Sequence, residues 1–317
     1  MSEMKPNIPN FLIVGAAKSG TTSLYGYLKG HPDVFLPETV KEPLYFVFGE
    51  EETHFDQRDW RSVKMQCSTD WSAYLALFDK AKGESAIGEA TPYYLTHPAA
   101  PAKIAHRLGS PKIIAILRDP IGRGYSHYTY NRMRKVERAE SFAEAVEAEF
   151  ALDNPFYAIK YLGSGLYSAM VERYFDQFGR ENVLVLRFED LVRDREGVLA
   201  KVYAHLGIDP GYVPPDEVHN VTLEENAITS TLFHLKGSDS LLGKAARGVH
   251  RVMTRSDFYL KTKEKLFNTA RKVAADHGAG KPAKLDPEVR AKLLPIVQED
   301  VRRLEDLLGW DCTAWRT

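Results

Sequence analysis

In the first two thirds of the chain, short unbroken apolar runs alternate with longer stretches whose apolar residues recur every three or four positions. The runs at residues 11–14, 86–88, 112–117 and 182–187 lack the in–out alternation of a sheet with one wet face, which predicts buried parallel strands. Helical spacing marks residues 21–29, 71–80, 98–108, 141–150, 166–178 and 196–206. Strands separated by helical crossovers predict an α/β fold, a doubly wound parallel β-sheet flanked by helices. Turns are expected at Asp209-Pro210-Gly211 and Pro214-Pro215. Residues 287–308 read as a closing helix with Gly309 as its C-cap.

Ligands of such sheets sit beyond the C-terminal ends of the strands. The first strand runs directly into Gly15-Ala16-Ala17-Lys18-Ser19-Gly20-Thr21-Thr22-Ser23. A glycine loop that opens a helix aims backbone N–H groups and the positive end of the helix dipole at a phosphate. The spacing Gly15 to Gly20 makes the loop P-loop-like, but Thr21 stands where a Walker A loop carries lysine, and the lysine is inside the loop at Lys18. Lys18 is placed to reach a bridging or terminal phosphate oxygen, with Ser19, Gly20, Thr21, Thr22 and Ser23 supplying N–H and hydroxyl donors. A later strand ends in Arg118-Asp119-Pro120, with Pro120 suited to a first helical turn and Ser126 eight residues after Arg118. A guanidinium and a hydroxyl there suit a second phosphate, Arg offering planar bidentate contacts.

Together these two anion sites resemble the two nucleotide signatures of the sulfotransferase family. That family takes its sulfuryl group from 3′-phosphoadenosine 5′-phosphosulfate (PAPS). The resemblance implies that the loop around Lys18 holds the 5′-phosphosulfate and that Arg118 and Ser126 hold the 3′-phosphate. Lys41-Glu42-Pro43-Leu44-Tyr45-Phe46 is similar to a run in the branch of Golgi-type carbohydrate sulfotransferases and their bacterial relatives, whose glutamate is taken as the general base. This implies Glu42 as base and Lys18 as stabiliser of the leaving phosphate. Lys41, Tyr45 and Phe46 are then acceptor-side candidates. Glu89-Ala90-Thr91-Pro92-Tyr93-Tyr94 resembles a further family segment, although Ala90 stands where glycan enzymes often carry lysine. Tyr93 and His97 join the acceptor-side candidates, and His97 is the alternative base. The implied reaction is sulfuryl transfer from PAPS, as co-substrate, to a hydroxyl of a glycan, a lipid or another small-molecule alcohol.

The chain has 317 residues, 44% of them hydrophobic, and no Pro/Gly/Ser-rich linker divides it. A polar tail over residues 1–9 and one domain over residues 10–317 are expected, with residues 220–285 as a variable, acceptor-side segment. The formal net charge of −1 gives no nucleic-acid signal. Residues 231–284 nevertheless hold twelve Lys and Arg against four Asp and Glu, which is consistent with weak peripheral membrane contact. Cys67 and Cys312 have no metal or redox spacing, and no metal site is expected. Two lone thiols and the lack of a signal-like apolar core point to the cytoplasm. Two rival readings are a P-loop kinase or NTPase, which needs Mg²⁺-binding carboxylates such as Asp119, and a basic module for membranes or polyanions. No Lys-Gly loop late in the chain stands out as a donor-closing element, Lys236-Gly237 being the nearest.

Overall fold

The computed structural model describes residues 7–38, 40–49, 68, 70–133, 136–151, 160–215 and 284–317. Apart from Lys284, the basic stretch 231–284, with Lys236-Gly237, lies outside the described residues, as does Cys67. By proximity the chain divides into a unit of Met1–Tyr128, Ala139–His219 and Leu285–Thr317 and a second of Thr129–Arg138 and Asn220–Lys284. In the second unit the described residues are the last turn of one helix, a short segment after it and Lys284.

The first unit is the doubly wound sheet. Its described elements run, in chain order, β1 Phe11–Gly15, α1 Thr21–Lys29, β2 Val34–Phe35, α2 Tyr45–Phe48, α3 Trp71–Leu75, β3 Ala86–Ala90, α4 Ala100–Leu108 and β4 Lys112–Leu117. They continue with α5 Pro120–Met133, which belongs to this unit as far as Tyr128, α6 Phe142–Ala151, α7 Ser168–Phe178, β5 Val183–Arg187, α8 Phe188–Arg193, α9 Arg195–Leu206 and α10 Pro287–Leu308. The five strands are parallel in the order β2-β3-β1-β4-β5. β1 is therefore central, flanked by β3 and β4, and from it the chain runs first to the β2 edge and then back past β1 to β4 and β5.

Alternation along the central strands divides the core. Leu12 and Val14 of β1 join Ile113, Ala115 and Leu117 of β4 in one cluster, with Val171 and Tyr174 of α7 and Ile104 of α4. Phe11 and Ile13 join Ile114 and Ile116 in the other, under Leu24 and Leu28 of α1 and Val198 and Val202 of α9. Both sheet faces are thus dry, which is why β1 reads as a continuous apolar run. A third cluster packs Ile121 and Tyr128 of α5 against Phe142 and Val146 of α6 and Val297 of α10.

The four anticipated strands are present, and β3 extends two residues further so that Glu89 falls inside it. β2, α2 and α8 carry too few residues for a periodic signal. The helix expected over residues 71–80 is α-helical only to Leu75 and then tightens into a 3₁₀ turn, Ala76–Phe78. Gly309 caps α10 at φ 66°, its N–H donating to the Glu305 carbonyl at 2.8 Å. Among the described residues no helix is long and apolar enough to cross a membrane.

Candidate functional site

The loop after β1 is built by its neighbours. The Ala16 N–H donates to the Ile116 carbonyl of β4 at 2.8 Å, which ties the loop's first residue to the adjacent strand. Gly20 sits at φ 93°, where an added Cβ would also lie 2.8 Å from the Phe188 ring. An added Cβ on Gly15 would lie 2.5 Å from that of Leu95, so the glycine at each end of the loop is sterically required. Lys18 also lies in the left-handed region, at φ 67°, a conformation that costs a non-glycine residue about 1 kcal/mol or more. The helix that follows has no acidic residue in its first turn and no side-chain cap. Its N-terminal N–H groups therefore keep their preference for an anion.

Two arginines from the end of β4 and from α5 hold the loop. Arg118 donates from Nη1 to the Lys18 carbonyl at 3.3 Å, and its guanidinium lies over the Phe188 ring at 4.8 Å. Arg123, fully buried, donates from Nη1 to the Ala17 carbonyl at 3.3 Å and from Nη2 to the carbonyls of Lys160, at 3.1 Å, and Tyr161. Tyr167 donates its hydroxyl to the Arg118 carbonyl at 3.0 Å. The electrostatic result falls on Lys18. Burial first, then Arg118, Arg123 and Lys41 with Glu42 opposing them, lower its pKa from 10.5 to about 8. His127, one turn beyond Arg123 on α5, is buried, and its ring stands edge-on to Tyr161 with the centroids 5.4 Å apart. Burial, then Arg123 and Lys18, holds its imidazole neutral, well below its ordinary pKa. This concentration of positive charge is what a multiply charged anion would relieve.

The Glu42 segment meets the same loop. Lys41 donates to the Thr22 hydroxyl at 2.7 Å and to Glu42 Oε1 at 3.2 Å, with the two side chains 23% and 37% exposed. Glu42 thus stays open to a ligand while a lysine ties its segment to the start of α1. Lys18, Thr22, Lys41, Glu42 and Arg118 are brought together. Ser19 and Thr21 are buried at the loop's end, and Ser23 is partly exposed on α1. Ser126 lies partly exposed near the end of the second turn of α5.

The acceptor-side candidates are placed differently. Tyr45 and Phe46 are 3% and 0% exposed, within an aromatic cluster in which Tyr45 stacks on Tyr74 at 4.8 Å. Tyr93 is partly buried against the same core. His97 is buried, and desolvation, then Lys103 and Arg173, lowers its pKa to about 4. Its electrostatic neighbours are those two cations rather than Lys18 or Glu42.

Asp119, the carboxylate a Mg²⁺-dependent rival would need, is otherwise engaged. It accepts the Ile121 and Gly122 N–H groups at 3.3 and 3.1 Å, capping α5, and pairs with Arg290 of α10 at 2.7 Å. Among the described residues no three metal-binding side chains converge.

Three polar residues of this region were not singled out in the sequence. Arg123 and His127 stand four apart on α5, a one-face spacing that was visible. Glu89 is fully buried in β3, and the family-like segment it opens gave the carboxylate itself no role.

Comparison with known proteins follows the same lines. The Sulfotransferase domain family matches residues 9–236. The human bifunctional heparan sulfate N-deacetylase/N-sulfotransferase 3 is 29% identical over 214 residues, which are 65% of this chain and 23% of that protein. The mouse heparan sulfate glucosamine 3-O-sulfotransferase 3A1 is 27% identical over 210 residues, 66% of this chain and 48% of that one. The chain therefore spans from about a quarter to about half the length of these relatives. The crystal structure of a sulfotransferase from Alicyclobacillus acidocaldarius superposes with a TM-score of 0.70 at 29% identity, covering 98% of this chain and 100% of that one.

Proposed function

The chain belongs to the sulfotransferase domain family, and from that premise we propose that it moves the sulfuryl group of PAPS onto an acceptor hydroxyl by in-line displacement. The observation that carries this reading is the convergence of Lys18, Arg118 and Arg123 on one glycine loop, where burial and mutual repulsion bring Lys18 to about 8. A phosphosulfate restores that charge balance, and the uncapped start of α1 adds N–H donors. Arg118, with Ser126 on the helix after it, is assigned to the 3′-phosphate.

In the proposed step the acceptor oxygen attacks sulfur as its proton passes to Glu42. The bond from sulfur to the bridging oxygen breaks, and its electron pair stays on adenosine 3′,5′-bisphosphate. Lys18 offsets the charge that develops on that oxygen. The residues position and stabilise, and no covalent enzyme intermediate is required. Glycan, lipid and small-molecule alcohols all meet the chemical requirement. The two heparan sulfate relatives favour a glycan, whereas Ala90, in place of the lysine common in glycan enzymes, argues for a different acceptor contact.

The test is calorimetric titration with adenosine 3′,5′-bisphosphate, with ATP plus Mg²⁺ as the control. Binding of the bisphosphate and not of ATP is expected. Binding of ATP alone, or of neither, would overturn the donor assignment.

A further inference from the structure

Glu89 is a carboxyl with no access to water and, among the described residues, no cation paired with it. It lies in β3, 0% exposed, and its partners are hydroxyls. Tyr74 donates to Oε1 at 3.3 Å, Thr91 donates to Oε2 at 2.8 Å, and the Tyr94 hydroxyl also hydrogen-bonds the carboxyl. Desolvation raises its pKa to about 8 against the pull of these three hydroxyls, with a small further push from Glu42. At neutral pH the group is therefore largely protonated, which is how it can be buried without a counter-charge.

Two of the three hydroxyls have a second task. Thr91 Oγ1 faces the Leu44 N–H at 3.5 Å, and the Tyr94 hydroxyl faces the Phe46 N–H at the same distance. Both amides need a partner. Leu44 and Phe46 are 2% and 0% exposed, and α2 begins there, so the N–H groups of its first turn have no helical acceptor and no water. Leu44 also sits at φ 56°, a conformation a leucine keeps only when its surroundings hold it there. That residue is two positions after Glu42. The Thr91 hydroxyl proton is turned to the carboxyl, which leaves its lone pairs for the amide. A valine in its place offers neither, and a glutamine at position 89 replaces one carboxyl oxygen by an N–H₂ group, which cannot accept from a hydroxyl that donates to the acid.

We propose that Glu89 is a positioning residue for the reaction: through the Thr91 and Tyr94 hydroxyls it anchors the backbone of residues 44–46 and so sets where Glu42 meets the acceptor. This rests on Glu42 as general base. It adds a buried residue that touches neither donor nor acceptor, and whose effect on turnover runs through the Glu42 segment.

Hydrogen exchange of the full chain, with variants Thr91→Val, Glu89→Gln and Thr91→Ser, tests the anchoring without any acceptor. In Thr91→Val the Leu44 amide, and in Glu89→Gln the Leu44 and Phe46 amides, should exchange about tenfold faster, as expected for loss of one hydrogen bond's net stabilisation. Thr91→Ser should restore protection, and the amides of β1 and the Kd for adenosine 3′,5′-bisphosphate should not change. Unchanged protection at residues 44–46, or a loss spread equally over β1 and β4, would overturn the anchoring. Consumption of PAPS then tests the link to Glu42. Thr91→Val should slow turnover in the wild-type background and have no further effect beside Glu42→Gln. Full additivity would overturn the positioning role, whereas wild-type turnover in Glu42→Gln alone would mark a failure of the base assignment instead.

Discussion

The loop that carries Lys18 and the segment that carries Glu42 solve one problem with opposite polarity. Each contains a non-glycine residue in the left-handed region, Lys18 at φ 67° and Leu44 at φ 56°. Each also leans on a buried ionisable group whose charged form the surroundings disfavour, Lys18 itself in one case and Glu89 in the other. The first is braced through its carbonyls, which accept from the guanidinium groups of Arg118 and Arg123. The second is braced through its amides, which face the hydroxyls of Thr91 and Tyr94. Bracing by cations leaves a positive site that an anion completes. Bracing by hydroxyls that end on a protonated carboxyl is complete without a ligand and adds little charge near Glu42. The donor half is thus expected to be sensitive to ligand and salt, and the base half to the loss of single hydroxyls.

The largest effect should come from breaking the cationic half. Lys18→Ala should lower the rate of adenosine 3′,5′-bisphosphate release from PAPS by about two to three orders of magnitude, the size reported for one donor aimed at developing oxyanion charge. The protein should remain folded by circular dichroism, because the change removes a buried charge. A variant with near-normal turnover would strip Lys18 of its role. Next in size is Glu42→Gln, for which a fall in kcat of about a hundredfold or more is expected from loss of a general base. Its bisphosphate Kd, read by calorimetry, should stay at the wild-type value. A loss of donor affinity would move Glu42 into the donor half and erase the contrast.

The two buried groups should also write opposite limbs into the dependence of stability on pH. Glu89 has its pKa raised from 4.5 to about 8, so the folded state holds a proton there that the unfolded state has lost. Its contribution to stability is full below 4.5 and falls as pH rises through about 8. Lys18 has its pKa lowered from 10.5 to about 8, so the unfolded state holds the extra proton, and stability should rise from about 8 towards 10.5. In urea titrations across this range, Glu89→Gln should flatten only the first limb and Lys18→Met only the second. If either variant flattened both limbs, the two regions would not be independent.

The smallest effect is the proton linkage of the donor site. An anion beside Lys18 raises its pKa from about 8, so bisphosphate binding near that pH should take up about half a proton. Close to none should be taken up at about pH 6, where Lys18 is already charged. Calorimetry in buffers of different ionisation enthalpy reads this directly, and Lys18→Met should abolish it. Uptake that survives the substitution would assign the proton to His127, the other buried base in reach of Arg123.

Much of the donor half was legible in the chain. Gly15, Lys18 and Gly20 follow one strand and Arg118 ends another, and parallel strands deliver whatever follows them to one edge of the sheet. The spacing of Glu42 within Lys41-Glu42-Pro43 was legible only by resemblance. The segment has no period of its own, and α2, at four residues, is too short to show one. The aromatic residues after it looked like a ligand wall and lie instead in the core, Tyr45 stacked on Tyr74 and Phe46 against Tyr94. An apolar ring has the same local signature in either place, and only the approach of α3 and β3 decides which surface it meets.

What the sequence by itself determined is therefore local or periodic. The buried parallel strands follow from continuous apolar runs, the phosphate-loop geometry from two spaced glycines, and the end of α10 from Gly309. Tertiary structure decided which charges are buried beside which. Arg123 lies 106 residues from the Ala17 carbonyl it holds, and Thr91 lies 47 residues from the Leu44 amide it faces. A pKa displaced by such neighbours depends on desolvation and on charges that chain order does not bring together, so Lys18 and Glu89 acquire their chemistry only when the sheet assembles.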